Sequence, residues 1–322
     1  MAMCHIKLFF IMMETNYNIP ILFVFFNRLE ISMRAFEAVR RQRPQRLYLA
    51  CDGPRNDKSG EAEIVLGIRN TILNSIDWDC DVKTLFQEKN LGCGKGVFTA
   101  INWLFDNEEL GIVLEDDCVA NDSFFRFMAE ILNKYKDDQR IGMVAGSNLI
   151  STYNEKRCSY FFSRYKSCWG WGTWKRAWQN MDMEMNWRKD YLRDIISNSG
   201  YYARGEYKWH HQLKCIDEDY VSAWDWQWYY SLAAQNQLCV YPSVNLVSNI
   251  GDDANATHTS FGNITKASCD MTFPLVPPKY VCPNERFDNA FWKDENTIRL
   301  RIQRLFPNSV KTMIKDFIKK FF

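Results

Sequence analysis

An α/β fold, with a mostly parallel central sheet flanked by helices, is what this 322-residue sequence predicts. Three observations carry it. Short uninterrupted apolar runs recur, as in strands buried on both faces. Segments with helical apolar spacing separate them and give a β-α-β rhythm. Polar and glycine-rich clusters follow the apolar runs, which is where open parallel sheets gather ligand-binding groups.

The elements follow in order. Ile21 to Phe26 is the first buried strand, ended by Asn27-Arg28. Ser32 is expected to cap a helix reaching about Arg41. Arg46 to Cys51 is a second strand, closed by the turn Asp52-Gly53-Pro54. Ile64, Ile68 and Ile72 give a helix over Glu61 to Ser75. Val82 to Gln87 is a short strand, followed by the glycine-rich Asn90 to Gly96. A helix from Val97 to Phe105 then leads into the strand Gly111 to Leu114. The second half has a different texture, with indoles interleaved by glycines in Trp169-Gly170-Trp171-Gly172-Thr173-Trp174.

Composition narrows the function classes. With 40 basic and 39 acidic side chains the net charge is +1, which disfavours a surface devoted to gripping nucleic acid. A hydrophobic fraction of 47% allows a substantial core and excludes global disorder. No apolar run reaches the ~18 residues needed to span a bilayer. Eleven cysteines without a CxxC pair fit a reduced chain more simply than a zinc knuckle or a disulfide framework. Sequons at Asn121, Asn255 and Asn263 would matter only outside the cell. Residues 1–16 hold a short apolar run without a cleavage site and are expected to be dispensable for the fold.

Chemistry concentrates at the ends of the strands. Arg28 follows the first, Asp52 the second, and Glu115-Asp116-Asp117 the strand Ile112-Val113-Leu114. Three adjacent carboxylates repel one another, and a hard cation shared with substrate phosphates would relieve that. The alternative is that they only precede and cap the next helix; their place after a buried strand tips the reading toward metal. Lys95, beside a helix start, is a candidate phosphate contact, although its glycine segment matches neither GxxxxGK[ST] nor GxGxxG. Asp225 stands among Trp224, Trp226 and Trp228, where apolar surroundings would favour a proton acceptor at neutral pH, or where it simply starts a helix. His258 is the one histidine in a polar, loop-like context and a candidate late ligand to a metal or diphosphate.

In this order and context the sequence resembles the GT-A glycosyltransferases, a Rossmann-like fold. It is nearest to the inverting type represented by N-acetylglucosaminyltransferase I and to related bacterial sugar transferases. The segments that carry the resemblance are Val24 to Arg28, Leu49 to Asp52, Ile112 to Asp117, Trp169 to Trp171 and Trp224 to Trp226. The Glu-Asp-Asp triplet is the form the DxD motif takes in that family. The resemblance implies that Asp117 holds Mn2+ or Mg2+, to which His258 is the candidate further ligand noted above, and that Glu115 and Asp116 orient ribose and sugar hydroxyls. Arg28 and Asp52 would contact the nucleotide, Asp52 reading a uracil edge. Asp225 would be the catalytic base, and Trp169, Trp171 and Trp224 would bind the acceptor. The implied reaction moves a sugar from a UDP-sugar to a glycan or lipid-linked hydroxyl with inversion, as in bacterial surface polysaccharide biosynthesis. The alternatives are nucleotidyl transfer to sugar phosphates and non-catalytic glycan binding.

The expected layout is a catalytic domain over 17–265, with a nucleotide-binding half at 17–120 and an acceptor half at 121–265. A C-terminal extension occupies 266–322, ending in a basic amphipathic helix over 309–322. Val310, Met313, Ile314, Phe317, Ile318 and Phe321 share one face of that helix, with lysines on the rest. Such a helix suits an anionic membrane interface, or packing on the domain, and places the protein in the cytoplasm at the inner face of the membrane.

Overall fold

The computed structural model describes residues 17–150, 153–200, 202–219, 222, 224–251 and 266–295. The expected metal ligand His258 and the basic helix over 309–322 lie outside the described residues.

In chain order the first half runs β1 (Ile21–Phe25), α1 (Leu29–Gln42), β2 (Arg46–Cys51), α2 (Glu61–Asn74), β3 (Asp81–Phe86), α3 (Cys93–Asn107) and β4 (Leu110–Glu115). A short β5 (Cys118–Ala120) and α4 (Asp122–Lys134) follow. Then come β6 (Ile141–Ala145), β7 (Tyr160–Ser163), β8 (Trp171–Trp174), α5 (Lys175–Trp178), α6 (Leu192–Asn198) and α7 (Tyr202–Asp217). The chain continues through α8 (Asp225–Ala234), β9 (Leu238–Pro242), β10 (Val247–Asn249) and α9 (Glu285–Glu295).

Eight strands form one sheet in the order β3-β2-β1-β4-β8-β6-β9-β7, and β10 pairs with β5 in a separate ribbon. β1, β2, β3 and β4 are mutually parallel; the apolar runs of β1, β2 and β4 are buried, while β3 (DVKTLF) forms the less buried edge. β8 lies antiparallel between β4 and β6, and β7 lies antiparallel to β9. The expected mostly parallel α/β sheet is therefore present, with two reversed strands in its second half.

Alternation along the strands divides the core. Ile21, Phe23 and Phe25 point to the side covered by α1, α2 and α4, through Phe36, Ile68 and Phe124. Leu22 and Val113 point to the other side, where Ile101 of α3, Trp178 of α5, Trp228 of α8 and Phe287 of α9 pack. Met271 and Phe287 are both buried, so core contacts cross the boundary expected at residue 265. No helix among the described residues is long and apolar enough to cross a membrane. Every cysteine among them is a free thiol.

Two local expectations change. Ser32 is not a cap: α1 begins at Leu29, and the buried Ser32 lies one turn in, its N–H bonded to the Arg28 carbonyl at 2.9 Å. The glycine-rich stretch from Cys93 to Gly96 is the first turn of α3 and not a loop. Gly96 faces the Asp52 carboxylate, 3.5 Å from where a Cβ would stand.

Candidate active site at the β1/β4 crevice

The chain leaves β1 toward β2 and β3 on one side and returns to place β4 on the other. Such a reversal, at the carboxyl ends of β1 and β4, is the general ligand position of open α/β sheets, where a crevice is expected. Arg28, just after β1, and Glu115-Asp116-Asp117, at the end of β4, meet there. Arg28 Nη2 lies 2.5 Å from Asp116 Oδ1 and 3.1 Å from Asp117 Oδ2. Arg28 Nε reaches Asp116 Oδ2 at 3.3 Å, and the Ser32 hydroxyl donates to the same oxygen at 3.3 Å. Asp116 is thus occupied by the chain's own donors.

Burial dominates the electrostatics of the cluster. It pushes Asp116 up to about 6 despite the Arg28 guanidinium, which acts the other way. Glu115 rises well above the ordinary carboxylate range, first from burial and then from the charges of Asp117, Asp116 and Asp225. This coupling brings Asp225, at the first turn of α8, into the same field although it lies over 100 residues away in sequence. Cys93 stands in it too, its thiol raised by burial and then by Glu115 and Asp225.

Asp117 is held differently. Its Oδ1 accepts from Asn249 Nδ2 at 3.1 Å, and its backbone carbonyl accepts from Ile250 N at 2.9 Å. Its side chain keeps 22% exposure, against 10% for Asp116, so it is the accessible acid of the pair.

Asp52 faces inward to the chain. Its Oδ1 accepts from Gly53 N and Leu91 N at 2.9 Å, and its Oδ2 from Leu91 N at 3.1 Å and Gly92 N at 2.9 Å. The segment before α3 therefore wraps an internal carboxylate. Ser222 Oγ accepts from Gly94 N at 2.9 Å, linking the first turn of α3 to the chain entering α8. Lys95 is exposed on that first turn.

The tryptophans separate into two groups. Trp171 has no exposed surface and Trp224 has 3%; they stack with ring centroids 5.6 Å apart, and Trp178 lies 4.8 Å from Trp228. Rings covered in this way offer no face to a sugar, so the acceptor role expected of Trp171 and Trp224 gives way to core packing. Trp169 alone of the three expected acceptor rings is partly exposed. Gly170, at φ +62°, has no room for a side chain beside Val247 and Leu114, which explains the glycine between the indoles.

Among the described residues no three His, Cys, Asp or Glu side chains form a closed metal cage. A cation completed by substrate phosphates needs only one or two protein oxygens, and the donor chemistry here fits: hard carboxylates outnumber the one guanidinium between them. Asn249, Ser222, Ser32 and Cys93 are site residues that the sequence pattern did not single out. Only the Asn249-Ile250-Gly251 turn carried a signal, as a polar turn after an apolar strand.

No protein-family model matches the chain, and no curated protein is similar to it in sequence. Solved structures give distant likenesses. HddC from Yersinia pseudotuberculosis is 12% identical, with a TM-score of 0.32 over 54% of this chain and 85% of that one. The 4-diphosphocytidyl-2C-methyl-D-erythritol synthase from Anaerococcus prevotii is 12% identical, with a TM-score of 0.32 over 59% and 78%. Mouse xyloside xylosyltransferase 1 is 10% identical, with a TM-score of 0.34 over 56% and 76%. A synthase and a sugar transferase thus stand equally far from this chain, and the likeness concerns fold alone.

Proposed function

We propose that the protein transfers a sugar from a UDP-sugar to a hydroxyl of a glycan or lipid-linked acceptor, with inversion at the anomeric carbon. The observation that carries the reading is the meeting of Arg28 and Glu115-Asp116-Asp117 at the β1/β4 crevice, with Asp225 in the same field. Asp225 takes the proton of the acceptor hydroxyl as its oxygen attacks the anomeric carbon. The bond from that carbon to the diphosphate breaks, and the electron pair leaves on UDP. Glu115, at the end of β4, orients a sugar hydroxyl by hydrogen bonding. Mg2+ or Mn2+, held by Asp117, would supply Lewis-acid stabilisation of the leaving diphosphate. Arg28 stays paired with Asp116 and adds fixed positive charge beside it. Trp169 offers its partly exposed ring to the acceptor.

Calorimetric titration of UDP, GDP and CDP, with and without Mn2+, tests this on the wild type and Asp117→Ala. We expect metal-dependent binding of UDP that the variant loses. Failure of every nucleotide to bind in the presence of metal would sink the reading. Turnover that releases pyrophosphate instead of UDP would move it to nucleotidyl transfer.

A further inference from the structure

The turn after β10 does more than end a strand. Its three residues meet Asp117 in three ways. Asn249 Nδ2 donates to Asp117 Oδ1 at 3.1 Å, while Asn249 Oδ1 accepts from Gly251 N at 2.9 Å. Ile250 N donates to the Asp117 carbonyl at 2.9 Å. Gly251 has no side chain exactly where one would overlap the Asp117 carboxylate. β10 itself is fixed by its pairing with β5, in which Asn249 lies opposite Cys118, the residue after Asp117. Asn249 is 6% exposed, so its amide is spent within this turn and does not face solvent.

We propose that Asn249 is a positioning residue for Asp117, part of a clamp made by Asn249 to Gly251 that aims this carboxylate into the β1/β4 crevice for a divalent cation. The inference rests on the transferase reading above and extends it to a residue outside the charged cluster. The choice of amide follows from electrostatics. Arg28 already stands 3.1 Å from Asp117 Oδ2, and a second cation at Oδ1 would neutralise the carboxylate further and compete with a metal. A neutral N–H donor fixes one carboxylate oxygen and leaves the negative charge in place. The same amide oxygen anchors Gly251 N, so one side chain sets both the carboxylate and the backbone packed against it.

The test is Mn2+ affinity, read by electron paramagnetic resonance in the presence of UDP, for the full chain and three variants. Asn249→Ala should weaken Mn2+ binding about tenfold, as loss of an outer-sphere hydrogen bond typically does. Gly251→Ala, which keeps Asn249 but forces the carboxylate aside, should weaken Mn2+ in the same direction. Asn245→Ala is the contrast: Asn245 is buried and holds Val247 O at 2.8 Å and Asn148 N at 2.9 Å without touching an acid. It should lower the melting temperature and leave Mn2+ affinity at the wild-type value. Melting curves establish that each variant is folded, and either of the first two suffices if the other is not. Wild-type Mn2+ affinity in folded Asn249→Ala or Gly251→Ala overturns the clamp alone. A wild type that binds no Mn2+ with UDP overturns the clamp and the metal reading together.

Discussion

The two halves of the sheet handle polarity in opposite ways. Around β1 to β4, buried charge is concentrated and answered by donors from the chain itself: Arg28 and Ser32 for Asp116, Asn249 for Asp117, backbone N–H groups for Asp52. Around β8, β6 and β9 the space is filled by stacked indoles, and Trp171 and Trp228 keep buried ring N–H groups without a partner in the structure. One half stores electrostatic potential at a crevice, and the other supplies the rigid wall against which it works. Asp225 joins the two, standing between Trp224 and Trp226 in sequence yet acting on Glu115. Packing on one side and charges held by fixed donors on the other are the two ingredients of preorganised electrostatics.

Substitutions can break this division of labour. The largest stability effect belongs to the wall: Trp171→Ala should cost about 3–5 kcal/mol in denaturant unfolding, because a fully buried indole leaves a cavity among its stacked neighbours. Trp169→Ala, two residues away but partly exposed, should cost about 1 kcal/mol and act on acceptor KM. Equal stability losses at both positions would erase the distinction between wall and platform. Next comes the link between the halves. Asp225→Asn should lower kcat about a thousandfold while UDP affinity and melting temperature stay near the wild type. Substantial residual turnover would remove Asp225 from the base role.

Asp52 is the test within the charged half. Asp52→Asn keeps the shape but turns an amide N–H toward the Leu91 and Gly92 N–H groups. Unfolding should cost about 2 kcal/mol, the usual consequence of a buried hydrogen bond left unmade. Hydrogen exchange at those two amides should accelerate. If instead exchange is unchanged and only uridine preference is altered, Asp52 reads the base as the family resemblance implies.

What the sequence revealed follows the same division. The parallel strands were legible because Ile21 to Phe25, Leu47 to Cys51 and Ile112 to Leu114 are apolar on both faces, a pattern little else produces. The crevice residues were legible because charges at the ends of such strands are conspicuous. β8 was not, since the indoles and glycines of Trp171-Gly172-Thr173-Trp174 give no strand pattern until its partners β4 and β6 are known. The roles of Asn249 and Ser32 were hidden for another reason. Each is an ordinary polar residue whose meaning comes from an acid far along the chain, and local pattern holds no record of such a contact.

The smallest effect probes the cost of an ill-matched charge in the aromatic half. Lys166 is 6% exposed, and its ammonium donates to the Arg164 carbonyl at 2.5 Å. Burial lowers it to about 8, only partly opposed by the more distant Cys239 and Asp288, while Arg164 works in the same direction as burial. Since the folded value lies below the unfolded one, the unfolded chain binds more protons between about pH 8 and pH 10, and wild-type stability should rise with pH across that window. Lys166→Met removes the buried charge but leaves the Arg164 carbonyl without this donor, so the two effects partly cancel. At pH 7 the variant should be more stable by about 1 kcal/mol, and its advantage should fade as the wild-type lysine deprotonates. Unfolding curves at pH 7 and pH 9.5 check both statements, and a variant whose advantage does not shrink with pH would show that Lys166 is not buried as a charged group. A shrinking advantage would place the unmatched charge in the aromatic half, where among the described residues no carboxylate pairs with it as Asp116 pairs with Arg28.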